Sequence, residues 1–133
     1  MRSIQTNLPT FAFSVGFWPI EAVVLGRYSK HLSPRERDAI IAHEMGHIVH
    51  RHAWKRLGWL LSCRWGNLSA VCHAHEFEAD AFASDAGHSP GLLAFLSRCT
   101  PTHETALHPT PRDRINRIMA RLSAHLETDD ASK

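Results

Sequence analysis

His43-Glu44-Met45-Gly46-His47 is the stretch of this chain whose residue types and spacing could do chemistry. Histidines four apart on a helix share a face, with roughly 5–6 Å between Cβ atoms, so both rings can reach one ion at about 2.0–2.1 Å. Glu44 stands outside that pair, close enough to hydrogen-bond a water on the metal. The chemistry that suits this arrangement is zinc-dependent hydrolysis with Glu44 as general base. Two histidines do not complete a catalytic zinc site, which takes three protein ligands. A third is sought in a second helical run, His73 to Ala83, where Glu76 and Asp80 are four apart and share a face. If Glu76 ligates the ion, Asp80 one turn later can accept the free N–H of a ligand histidine. His50, on the face of His43 and His47, and His73 and His75, flanking Glu76, are competing donors, whereas His52 points away.

Other elements must hold these groups in place. Ser33-Pro34-Arg35-Glu36 reads as a capping box with proline at the first helical position. The spacing of Ile40, Ile41, Met45, Ile48 and Val49 then predicts a helix from about Pro34 to about Leu57. Upstream, Pro9, Gly16 and Pro19 break any helix, and Phe11, Phe13, Val15 and Phe17 alternate as in a strand. Two strands joined near Trp18-Pro19 are expected. The second, Glu21 to Tyr28, is read as a sheet edge where an extended peptide could add. Downstream, a short helix is expected from Ser89 to about Ser97, and Cys99 to His108 as loop. Thr110-Pro111-Arg112-Asp113 then caps a last helix with Ile115, Ile118, Met119 and Leu122 facing the core. Arg114, Arg117 and Arg121 line a different face, either as a patch for an acidic partner or as a solvated face with Arg114 docking locally.

These blocks together resemble the M48-type zinc metallopeptidases. His43 to His47 with Arg51-His52 behind it, Glu76-Phe77-Glu78-Ala79-Asp80, and His108-Pro109-Thr110-Pro111-Arg112-Asp113-Arg114-Ile115 carry the match, in that order. The resemblance implies that His43, His47 and Glu76 are zinc ligands and Glu44 the general base. It further implies that Asp80 backs a ligand and that His108 helps stabilise the transition state. Phe11-Ala12-Phe13 and Ala22 to Gly26 look like the strand pair ahead of the active-site helix. The chain departs from the family pattern at His73, where an arginine is usual. It also has only 28 residues between His47 and Glu76, where members often carry membrane spans or a long insertion. The context of Glu76 to Ala83 is shared with the ImmA/IrrE-like metallopeptidases; Asp80 and the block from His108 to Ile115 favour M48.

The 133 residues suffice for one domain with a real core. The expected class is α+β: a predominantly helical zincin-like domain over residues 1–126 with a small antiparallel sheet, and a disordered tail over 127–133. A formal charge of +2 gives no field that would imply nucleic acid. Leu57 to Leu61 is far short of the ~20 apolar residues of a membrane span. Cys63, Cys72 and Cys99 cannot all pair within one chain, which favours a reducing, cytoplasmic location. The expected activity is zinc-dependent endopeptidase cleavage of a peptide or protein substrate. The alternative is an inactive, zinc-stabilised interaction module.

Overall fold

The computed structural model describes residues 2–62, 65–99, 105 and 107–130. Strands β1 (Arg2–Gln5), β2 (Ala12–Phe17) and β3 (Ile20–Leu25) are followed by helices α1 (Pro34–Val49), α2 (His52–Leu61), α3 (Leu68–Asp85), α4 (Ser89–Arg98) and α5 (Pro111–Asp130). The predominantly helical α+β class is as expected. Helix α5 continues past Glu127, where a tail was expected to begin, and residues 131–133 lie outside the described residues, as do Cys63 and, within the expected loop from Cys99 to His108, residues 100–104 and 106. None of the described helices is long and apolar enough to cross a membrane.

The sheet is mixed where an antiparallel one was expected. Strands β2 and β3 form the anticipated antiparallel hairpin around Trp18-Pro19, with Phe17 opposite Ile20. Strand β1, too short and polar to stand out in the sequence, adds parallel to the other side of β3. The order β1-β3-β2 makes β3 the central strand, so the expected sheet edge over Glu21 to Tyr28 is wrong. The unbroken run Ala22-Val23-Val24-Leu25 carries the reason: all four residues are buried, as in a strand covered on both faces. The edge open beside the helices belongs to β2.

Helix α1 is the axis of the molecule. Its Ser33 cap is a true capping box: the Ser33 hydroxyl accepts from the Glu36 N–H at 3.3 Å, and the Glu36 carboxylate accepts from the Ser33 N–H at 2.8 Å. Glu36 also pairs with Arg98 at the end of α4. One face of α1 presents Ala39 and Ala42 to Ala83, Leu92, Leu96 and Ile118 of α3, α4 and α5. Another face packs Ile41, Met45 and Ile48 on Val23 and Leu25 of the sheet. Val49, expected in the apolar stripe, is exposed. Small residues bring the helices close. A Cβ added at Gly46 would lie 2.9 Å from the Ala79 backbone, so the glycine inside the histidine motif sets the spacing between α1 and α3.

The helix expected to run to Leu57 breaks after Val49. Arg51 adopts a left-handed conformation, φ 55° and ψ 38°, and α2 restarts at His52 in a new direction. A non-glycine residue there costs on the order of 1 kcal/mol, and no glycine or proline marks the break in the sequence. Its consequence is that His52, expected to point away, turns inward and is almost fully buried at 1% exposure.

Candidate metal centre

Helix α1 supplies His43 and His47 one turn apart, and α3 crosses it at Gly46 and Ala79 so that Glu76, one turn before the crossing, faces both rings. His43 Nε2 is 3.2 Å from His47 Nε2 and 3.5 Å from Glu76 Oε2, and His47 Nε2 is 3.3 Å from Glu76 Oε1. Zinc held tetrahedrally at about 2.0–2.1 Å keeps its ligand atoms about 3.3–3.4 Å apart. The three side chains therefore fit such an ion in both donor chemistry and spacing. Among the described residues they form the cluster with this geometry. His50 contacts Glu78 instead, His73 turns to the Thr105 carbonyl, and His75 contacts Arg56.

Behind the cluster, each ligand-candidate histidine is gripped on its other nitrogen. His43 Nδ1 is 2.8 Å from Asp80 Oδ1, and Arg114 clamps that carboxylate from α5, Nε to Oδ2 at 2.7 Å and Nη2 to Oδ1 at 2.6 Å. His47 Nδ1 is 2.7 Å from His52 Nδ1, whose Nε2 is 2.8 Å from Glu78 Oε2. Asp80 was expected beside one of these histidines and touches His43; His52 and Glu78 were given no part in the sequence. Glu78, two residues from Glu76, was visible only as an acid on another helix face.

The arginines of α5 are also resolved. Arg114 docks locally on Asp80, Arg117 lies 3.9 Å over the Phe77 ring, and Arg121 makes a two-pronged pair with Asp85. All three reach α3; Arg114 is largely buried there, while Arg117 and Arg121 stay exposed. They fasten α5, capped by Thr110 through the Asp113 N–H at 3.1 Å, against the helix that carries Glu76.

The electrostatics follow from this packing. Burial raises the Glu76 and Asp80 carboxyls, but hydrogen bonds outweigh it and hold both well below the usual range: His108, His43 and His47 act on Glu76, His43 and Arg114 on Asp80. Burial opposes a charge on His43, yet Asp80 and Glu76 on its two nitrogens push it up to about 9. Burial pushes His52 down to about 3 and, helped by Arg56 and Lys55, His75 down to about 4, so both stay neutral.

The cluster opens into a cleft of about 470 Å³. Glu44, Glu76, His108 and Arg114 line it with the two histidines, and the β2 stretch from Thr10 to Gly16 forms one wall. Apolar Phe11, Ile40, Leu92 and Phe95 line it as well, together with Ala53 and Arg56 of α2. His108 reaches over from the segment before α5, with Nδ1 3.3 Å from Glu76 Oε2 and a largely exposed side chain. Arg56, which carried no sequence signal, places Nη2 3.4 Å from Glu76 Oε1.

Neither the curated proteins nor the solved structures contain a match to this chain. The family model for peptidase family M48 matches residues 4–75, which takes in the sheet, α1, α2 and the histidine motif and stops one residue before Glu76. That match spans more than half of the chain, on a fold that brings His43 and His47 together with the glutamate beyond the matched stretch; the chain belongs to peptidase family M48.

Proposed function

We propose that this chain is a zinc-dependent endopeptidase in which His43, His47 and Glu76 hold the ion and Glu44 is the general base. The observation that carries the reading is that the two ring nitrogens lie 3.2 Å apart and each within 3.5 Å of a Glu76 carboxylate oxygen, His47 Nε2 at 3.3 Å from Oε1 and His43 Nε2 at 3.5 Å from Oε2, a spacing that suits one tetrahedral zinc. When bound, zinc would supply Lewis-acid polarisation of a carbonyl and acidify a water toward a pKa of ~7. Glu44 lines the same cleft without belonging to the ligand cluster, which suits a carboxylate that takes a proton as water attacks and returns it to the leaving amine. His108, at the mouth, is a donor for the charge that develops on the carbonyl oxygen. Asp80 keeps the His43 proton on Nδ1, leaving Nε2 free to ligate. A peptide would lie along the open edge of β2, in place of the edge first sought at Glu21 to Tyr28, adding backbone hydrogen bonds to the strand.

The test is metal analysis and peptide hydrolysis on single variants. His43→Ala, His47→Ala and Glu76→Ala are each expected to lose zinc, while His73→Ala keeps it. His108→Ala should keep zinc and KM while kcat falls about 10²–10³-fold, as for loss of one oxyanion donor. Stoichiometric zinc in Glu76→Ala would overturn the ligand set.

A further inference from the structure

The structure assigns His52 and Glu78 a positioning role: a hydrogen-bonded chain running Glu78, His52, His47 fixes His47 in the one tautomer that presents Nε2 as a ligand. The inference rests on the reading above, in which His47 binds the ion. A ligating nitrogen must offer its lone pair, so the His47 proton belongs on Nδ1. That atom is 2.7 Å from His52 Nδ1, which must therefore accept. A neutral imidazole that accepts at Nδ1 carries its proton on Nε2, and His52 Nε2 is 2.8 Å from Glu78 Oε2, a carboxylate that accepts it. Every link has one consistent donor and one acceptor, and reversing any of them would put two protons or two lone pairs face to face.

The surroundings hold the relay in register. His52 stacks on His75 with ring centroids 4.1 Å apart and planes 10° from parallel, and also lies near-parallel to His50 at 5.6 Å. Glu78 is fixed further by His50 at 3.4 Å and Lys55 at 3.6 Å. The left-handed turn at Arg51 points the same way: it aims His52 back at the residue five positions earlier, which a continuous helix would not do. Partners of this kind orient a ligand ring and raise its basicity, and their loss typically lowers metal affinity about 10–100-fold.

The experiment is a zinc titration against a competing chelator, together with the visible absorption of the cobalt(II)-substituted protein, on the full chain and four variants. His52→Leu should weaken zinc binding about 10–100-fold and shift the cobalt bands. His52→Asn, whose amide oxygen can take the place of the accepting nitrogen, should recover most of the affinity. Glu78→Ala and Glu78→Gln change a half-exposed residue and leave the packed interior intact, so they report on the relay even where His52→Leu fails to fold; each should weaken zinc about tenfold. Wild-type affinity and cobalt spectrum in both Glu78→Ala and a folded His52→Leu would overturn the inference, and wild-type values in Glu78→Ala alone would do so if His52→Leu does not fold. Recovery in Asn and Leu to the same extent would also overturn it, since packing and not hydrogen bonding would then be at work. Failure of the underlying reading looks different: His47→Ala would retain zinc.

Discussion

The two histidines of the candidate metal centre stand one turn apart on one helix, yet they are backed in opposite ways. Behind His43 is a buried ion pair, Asp80 with Arg114, whose side chains are 4% and 12% exposed. Behind His47 is a neutral ring, His52, and only then a carboxylate, Glu78, that is 42% exposed. The first support ties three helices together, since α1, α3 and α5 meet at that carboxylate. The second is local to the turn between α1 and α2 and leans on α3 at its rim. Two candidate ligands of the same chemistry thus take their order from different sources, one from the core and one from a break between two helices.

That contrast predicts unequal consequences. The largest should follow from Arg114→Met, which keeps the bulk of the side chain but leaves the Asp80 carboxylate buried beside His43 without its clamp. Breaking one half of a buried pair costs about 3–5 kcal/mol, so the denaturation midpoint should fall steeply whether or not zinc is bound. A loss under about 1 kcal/mol would mean that the core support is no stronger than the rim support.

A smaller effect is expected of Asp80→Asn, which retains an oxygen toward His43 Nδ1 and gives up the charge. Zinc affinity should drop about 10–100-fold, with more of the fold retained than in Arg114→Met. If Asp80→Asn and Glu78→Gln weaken zinc equally, the asymmetry between the two supports is not energetic.

The gentlest perturbation is pH. In the zinc-free chain His43 is pushed up to about 9 from an ordinary value of 6.5. A raised pKa stabilises fully below the unfolded value and is lost as pH rises through the folded one. The zinc-free Tm should therefore decline between about pH 6.5 and pH 9, while zinc affinity climbs over the same window because the ligand must be deprotonated. Asp80 and Glu76, held low, work in the other direction, and their contribution disappears only as pH falls below the ordinary carboxylate range. A zinc-free Tm that rises from pH 6.5 to 9 would show that the carboxylates do not hold a proton on His43. His52, pushed down to about 3 by burial, stays neutral over this window and contributes no transition of its own.

The same contrast separates what the sequence disclosed from what it hid. Spacing within one helix is a local property, so His43, Glu44 and His47 could be read directly, as could Glu76 and Asp80 one turn apart on α3. The Ser33 and Thr110 caps were equally plain, because side chain and backbone partner lie three residues apart. The His47 support depended on a left-handed arginine that no glycine announced, and extending α1 to Leu57 sent His52 to the wrong face. The place of β3 was missed for a different reason: a strand's position in a sheet depends on partners such as β1, whose four residues carry almost no pattern of their own. Even there the unbroken Ala22 to Leu25 run was a signal for an interior strand.

If the cleft hydrolyses peptides through a group that is not itself a ligand, Glu44→Gln isolates that group. Zinc content, Tm and cleavage of a peptide substrate would be measured side by side on wild type and variant. About one zinc per chain and an unchanged Tm are expected in both, with cleavage lost in Glu44→Gln alone. Zinc loss in the variant, or cleavage at the wild-type rate, would contradict it.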